Sequence, residues 1–255
     1  MQNQAVCLKD ILNRAMTFVK VFNRGFIIMN TAFRIGIAGL GTVGVGVIKI
    51  LTQQAELIAA RAGRPIEIIA ISARNKDTDR GIDLSPYKWI DDTSALAHEE
   101  NLDAVVELVG GSEGVALQLV ENSLKNKRHV VTANKALMAH HGYDLAQIAE
   151  GNDVCLSYEA AVAGGIPIIK TMREGLAGNQ YTAVYGILNG TCNYILTQMR
   201  ESGRDFDDVL KDAQDLGYAE ADPAFDIGGI DAAHKLCIWC ETQFRCNGNS
   251  GYFAS

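Results

Sequence analysis

The densest set of chemically capable side chains lies late in the chain. It runs through Gly217-Tyr-Ala-Glu-Ala-Asp-Pro223, then Asp226, then Asp231-Ala-Ala-His-Lys235. Glu220, Asp222, Asp226, Asp231 and Lys235 fall close together there, beside turn-forming glycines and a proline. A carboxylate can hold a cationic group, and an ammonium can stabilise and then protonate an oxygen that is gaining negative charge. The run Gly229 to Trp239 reads as the start of a helix, with Ile230, Ala233, Leu236 and Cys237 apolar. Asp231 and Lys235 then sit one turn apart on a shared face. The same residues also fit an acidic loop with one exposed ion pair, which alone would contribute little.

The segments upstream supply a frame for that cluster. Arg34-Ile-Gly-Ile-Ala38 is a short apolar strand, followed at once by Gly39-Leu-Gly-Thr-Val-Gly44 and a helix expected from about Thr42 to Arg61. Strand, G-x-G-x-x-G and helix in that order form the context of a dinucleotide fingerprint. Its glycines allow a tight turn and close approach of backbone N–H groups to a pyrophosphate, and the helix N-terminus adds partial positive charge. Gly39, Gly41, Thr42, Val43 and Gly44 are therefore the candidate cofactor contacts. The next strand, Ile66 to Ser72, runs into Ala73-Arg74-Asn75-Lys76. An acid for a ribose 2′-hydroxyl is missing there, and two cations suit a 2′-phosphate. Arg74 thus favours NADP, or dual use with NAD, although Arg74 and Lys76 also fit a plain solvated loop.

Strands and helices continue to alternate. Ala104–Val109 reads as a strand ending in Gly110-Gly111, 115–125 as a helix, and His129–Thr132 as a strand with Ala133-Asn134-Lys135 at its carboxyl end. Open α/β sheets place ligands at that end, which makes Lys135 a candidate for the cleft. From about Gly151 the character changes. Asp153–Tyr158 reads as a strand, Ile168 to Leu176 as a helix opened by Pro167, Tyr181–Leu188 as a strand, and Asn189 as the cap of the next helix. The fold class is α/β: a Rossmann-like doubly wound parallel sheet over residues 33–150, then a partial α+β substrate and dimerisation unit over 151–240. Residues 1–32 read as an extension and 241–255 as a divergent tail.

Bulk properties narrow the classes. Apolar content of 48% and charged content of 21% are those of a soluble globular chain. A net charge of -7 argues against a nucleic-acid partner and leaves no basic stripe for a membrane surface. Six scattered cysteines show no disulfide framework, which points to reduced thiols and a cytoplasmic location. Cys237 and Cys240 form a C-x-x-C inside a helix, open to a dithiol reading or to coincidence. His140-His141 reads as a solvated helix end, and His234 as pointing away from Lys235.

Six motifs now stand in order: Gly-Leu-Gly-Thr-Val-Gly (39–44), Thr-Ala-Asn-Lys (132–135), Glu-Ala-Ala-Val-Ala-Gly-Gly-Ile-Pro (159–167), Asn-Gly-Thr-Cys-Asn-Tyr (189–194), Gly-Tyr-Ala-Glu-Ala-Asp-Pro (217–223) and Asp-Ala-Ala-His-Lys-Leu (231–236). Together they resemble homoserine dehydrogenase over about residues 33–238. The resemblance implies reversible hydride transfer between L-aspartate 4-semialdehyde and L-homoserine with NADP or NAD, in threonine, methionine and isoleucine biosynthesis. It implies Lys235 as proton donor, Glu220 as the holder of the substrate ammonium, Asp231 as orienter of Lys235 or partner of the amine, and Lys135 between cofactor and substrate. It further implies a monovalent cation such as sodium at Glu159, Val162, Gly164 and Ile166, a segment that reads equally well as a structural turn. The family forms homodimers through the sheet of the substrate domain.

After Cys240 the helical period is lost and the chain turns rich in Gly, Asn and Ser. This departs from the resemblance and leads to the expectation of a C-terminally truncated or frame-shifted product. Two readings follow: an active core, or a nucleotide-binding remnant that does not turn over.

Overall fold

The computed structural model describes residues 31–219 and 222–244, with side chains described through residue 240. Glu220 and the segments 1–30 and 245–255 lie outside the described residues. Six strands, β1 (Phe33–Ala38), β2 (Ile66–Ser72), β3 (Lys88–Trp89), β4 (Ala104–Glu107), β5 (His129–Thr132) and β6 (Leu156–Ser157), form one sheet in the order β3-β2-β1-β4-β5-β6. Every pairing is parallel. The order reverses between β1 and β4, which is the switch point of a doubly wound sheet.

The strand sequences suit burial on both faces. Ile37, Ile71, Val105 and Val130 are fully buried. On one face Ile37, Ile71 and Val106 pack with Ile48 of helix α1 (Thr42–Gln53). On the other, Ala38, Ala70 and Val105 meet Leu96 of a short 3-10 turn and Leu119 of α2 (Val115–Lys125). A further cluster joins Leu137 and Leu145 of α3 (Lys135–Gly151) to Ile169, Ile238 and Trp239. Ile238 and Trp239 belong to α4 (Ile230–Phe244). The expected boundary at residue 150 is therefore bridged by a shared core, and α4 is held against α3.

The described structure corrects several sequence expectations. The single helix from Thr42 to Arg61 is two: α1 ends at Gln53, and a second helix, Ala55–Ala62, leaves it at 82°. Gln54 departs from helical backbone at φ -115 and ψ 25, which breaks the hydrogen-bond ladder. The strand at 153–158 shortens to Leu156–Ser157, and the one at 104–109 stops at Glu107. Tyr181–Leu188 forms no strand among the described residues. A strand needs a neighbour for its N–H and C=O groups, and none of the six strands takes that role. Tyr185 and Ile187 are instead 91% and 75% exposed. His140 and His141 sit inside α3 rather than at a helix end, and His141 Nε2 lies 2.8 Å from Glu113 Oε1. Among the described residues no single helix is long and apolar enough to cross a membrane.

At the switch point the chain is too close-packed for larger side chains. Gly39 takes φ +96, and a Cβ there would collide with the Leu108 carbonyl oxygen. A Cβ on Gly44 would collide with the Gly39 carbonyl oxygen, whereas one on Gly41 would meet nothing within 4 Å. Gly44→Ala is expected to destabilise the protein by roughly 1–3 kcal/mol through overpacking, and Gly41→Ala by no more than about 0.5 kcal/mol. Urea denaturation of both variants checks the contrast, and equal losses would contradict it.

Candidate active site

The candidate site is built on the first turn of α4. Gly229, at φ +75, turns the chain into the helix, and Asp231 follows in its first turn, where a negative charge complements the helix dipole. One turn on, Lys235 Nζ donates to Asp231 Oδ2 at 2.8 Å and to the Leu188 carbonyl oxygen at 2.6 Å. The shared face expected from sequence is thus an ion pair, and the Asp231 side chain is only 8% exposed. Lys135 comes from the other half of the chain and donates to Asp231 Oδ1. Asn189 Nδ2 completes the set, 2.9 Å from Asp231 Oδ2.

Burial pushes the Asp231 carboxyl up, but the hydrogen bonds from Lys135, Lys235 and Asn189 outweigh it and bring the group from 3.8 down to about 2. The exposed-pair reading of Asp231 and Lys235 is therefore replaced by a half-enclosed cluster of two cations on one carboxylate. Two of the three Lys235 N–H bonds are directed at protein acceptors, and the third is directed at neither of them. Lys235 also lines a cleft of about 390 Å³ with Val162, Gly164, Ile166, Leu188 and Trp239. A larger cleft of about 500 Å³ lies around Arg34, Arg64, Glu67 and Asp103, at the amino ends of the strands and away from this chemistry.

Lys135 opens α3 directly after β5, at the carboxyl edge of the sheet. A cation in a helix's first turn is disfavoured by the dipole, and its approach to Asp231 offsets that. The preceding residue fixes its place. Asn134 Oδ1 accepts from Leu137 N at 3.0 Å, while its Nδ2 donates to the Gly111 carbonyl at 2.6 Å. Beneath them lies the fully buried Glu107. Its Oε1 accepts from Val109 N at 2.8 Å and Gly110 N at 3.1 Å, and its Oε2 accepts from the Thr132 hydroxyl at 2.5 Å. Thr132 Oγ1 in turn accepts from Asn134 N at 2.9 Å. The glycine turn after β4 and the helix that carries Lys135 are tied together through one carboxylate.

The fingerprint fits a dinucleotide. Gly39 and Gly44 are required by the protein's own packing, but Gly41 is not, and the space at its Cα position stays open. No side chain caps the N-terminus of α1. These are the conditions for a phosphate to approach Gly41, Thr42 and Val43. Arg74 and Lys76 are exposed just beyond β2. The loop there is held instead by Arg80, whose Nε donates to the Leu40 carbonyl at 3.2 Å.

Glu159 is engaged locally. Its two carboxylate oxygens accept from Ile169 N at 2.9 Å and Lys170 N at 2.8 Å, capping the turn that Pro167 opens. Cys192 is a backbone-bonded neighbour of the cluster, with Sγ 3.2 Å from the Asp226 carbonyl oxygen. Burial, followed by the charges of Asp226 and Asp231, pushes its thiol up. His234 packs its ring against His140 and against Phe225, the ring over which Lys135 Nζ also lies.

Comparison with known proteins decides the family. The chain matches the family description "Homoserine dehydrogenase, NAD binding domain" over residues 39–159 and "Homoserine dehydrogenase" over residues 167–250. The chain belongs to the homoserine dehydrogenase family. The homoserine dehydrogenase of Pseudomonas aeruginosa is 50% identical over 211 residues, covering 83% of this chain and 48% of that one. The crystal structure of a homoserine dehydrogenase from Thiobacillus denitrificans superposes with a TM-score of 0.76 at 47% identity, over 83% of this chain and 48% of that one. A hyperthermophilic archaeal homoserine dehydrogenase in complex with NADPH gives a TM-score of 0.70 at 27% identity, over 84% and 70% of the two chains. The chain spans about half the length of the curated relatives it matches. The family match runs to residue 250, beyond the residue 238 reached by the motifs.

Sequence reasoning singled out Lys135, Asp231 and Lys235, which the fold brings together, and Glu220, which lies outside the described residues. It gave no role to Glu107, nor to Thr132 and Asn134, which it quoted only within a motif. An acid inside the otherwise apolar run Ala104–Val109 was the available signal, since a buried carboxylate requires donors.

The low value for Asp231 has a consequence for acid stability. A carboxyl at 3.8 in the unfolded chain and about 2 in the folded one contributes stability above pH 3.8 that is lost as pH falls towards 2. The contribution is about 2 kcal/mol. Asp231→Asn is expected to be less stable than wild type at neutral pH and to lose less stability on acidification. Urea denaturation at about pH 7 and about pH 3 checks this, and parallel losses in both proteins would contradict it.

Proposed function

We propose that this chain interconverts L-aspartate 4-semialdehyde and L-homoserine with a nicotinamide cofactor, and that Lys235 is its acid and base. The observation that carries the reading is the pair of lysines held on one carboxylate beside the carboxyl edge of the sheet. A bound nicotinamide cofactor supplies the hydride. The chain's own groups handle charge, position and protons.

In the reducing direction the aldehyde oxygen gains negative charge as its carbon is reduced. The Lys235 ammonium, with one N–H bond left over from its protein acceptors, stabilises that charge and delivers the proton. In the oxidising direction the neutral amine takes the hydroxyl proton. Three donors on Asp231 support its role as orienter of Lys235 rather than as partner of the substrate amine. Glu220 is assigned the substrate ammonium by motif match, and Lys135 the substrate carboxylate.

Gly39, Gly41, Thr42, Val43 and Gly44 are assigned the pyrophosphate, and Arg74 the 2′-phosphate of NADP, supported by the absence of an acid after β2. The sodium ion implied at Glu159, Val162, Gly164 and Ile166 belongs to the proposal as a lesser part. With Glu159 engaged in capping, main-chain oxygens would carry it. A cytoplasmic location is supported by the scattered, framework-free cysteines. A homodimer is supported by exposed apolar residues at Val184, Tyr185 and Ile187. Left uncovered, those same residues would favour the second reading, cofactor binding without turnover.

Assays of NADPH and NADH oxidation with aspartate semialdehyde test the proposal. Turnover is expected, Lys235→Ala is expected to lower kcat by at least about a hundredfold, and Arg74→Ala is expected to lower the NADPH-to-NADH preference about tenfold. Saturable NADPH binding with no turnover would instead establish the second reading.

A further inference from the structure

We propose that Asn189 is a positioning residue for the Asp231–Lys235 pair, its carboxamide setting where the Asp231 carboxylate lies and hence where Lys235 delivers its proton; this rests on the reaction proposed above. The side chain is half-buried, and each of its polar atoms is used. Oδ1 accepts from Cys192 N at 2.7 Å, capping the helix Gly190–Ser202. The two Nδ2 hydrogens go to two carboxylates, Asp226 Oδ1 and Asp231 Oδ2, each at 2.9 Å. The amide has one chemically sensible orientation, because turning it over would set its oxygen against both carboxylates and its NH₂ against an N–H.

The adjoining residue completes the device. The Leu188 carbonyl holds Lys235 Nζ at 2.6 Å, so neighbouring residues of one segment grip both members of the pair, the lysine by main chain and the carboxylate by side chain. The cluster is finely balanced. Lys135 and Lys235 carry two positive charges and Asp231 and Asp226 two negative ones, and only a neutral double donor can sit between the two carboxylates without adding repulsion. Among the described residues, Cys192 from the capped helix, and His140 and His234 from α3 and α4, are further titratable groups around it.

Helix capping alone does not call for asparagine, since Asn, Asp and Ser cap about equally well. That equivalence supplies the test. Asn189→Ser keeps a capping oxygen and loses the amide donors, while Asn189→Asp keeps the cap and sets a third carboxylate beside two others. The proposal predicts that kcat with aspartate semialdehyde falls at least about tenfold in Asn189→Ser and further in Asn189→Asp, while NADPH affinity stays close to wild type. Wild-type turnover with kcat in both variants within about twofold of it would reduce Asn189 to a cap and overturn the proposal.

Absence of wild-type turnover would count against the reaction instead, and the hydrogen bond is then read directly. The Asn189 side-chain amide resonances, assigned by their loss in Asn189→Ser, are expected to shift in Asp231→Ala. Resonances indifferent to Asp231 would overturn the positioning role.

Discussion

The candidate site depends on one carboxylate between two lysines. Asp231 is nearly enclosed, and a buried carboxylate left alone would be costly enough to be neutralised or expelled. It stays ionised because Lys135, Lys235 and Asn189 all donate to it. The arrangement works in both directions. The carboxylate lowers the cost of holding two ammonium groups close together, and the ammonium groups fix its rotamer. In the proposed reaction, one of them offers an N–H bond to a substrate oxygen. The partners come from distant parts of the chain, so the site exists only once α3, α4 and the segment around Asn189 have docked. The shared core of Leu137, Leu145, Ile238 and Trp239 makes that docking durable.

The second constraint is at the switch point of the sheet. Gly39 and Leu108 touch where β1 and β4 diverge, and Glu107 ties the glycine turn after β4 to Thr132 and Asn134. The surface offered to a dinucleotide and the helix that carries Lys135 are thereby two sides of one hydrogen-bonded corner. A cofactor on the fingerprint and a substrate on the lysines would approach each other across that corner, which is the placement that open α/β sheets favour.

Much of this was legible in the residues themselves. The fingerprint announced its turn because only glycine tolerates the contacts at positions 39 and 44. Asn189 announced its cap because asparagine before a helical run has few other local uses. Asp231 and Lys235 announced their pairing by helical spacing. What stayed hidden depends on tertiary contact. Lys135 meeting Asp231 across 96 residues has no local signal. Nor has the dual grip of Asn189 on Asp226 and Asp231. The segment Tyr181–Leu188 carries the alternation of a strand yet pairs with none of the six, because alternation declares a face and not a partner. The break at Gln54 was missed since apolar positions continue across it.

The central claim is that Asp231 joins the two halves of the site through Lys135. A double-mutant cycle in urea, with Lys135→Ala, Asp231→Ala and the double variant, tests it most directly. A coupling of at least about 1 kcal/mol is predicted, since removing Lys135 costs an ion pair when Asp231 is present but relieves its repulsion with Lys235 when Asp231 is absent. Losses that add to within about 0.3 kcal/mol would show that the two residues do not hold each other, and the account of the site would fail with them.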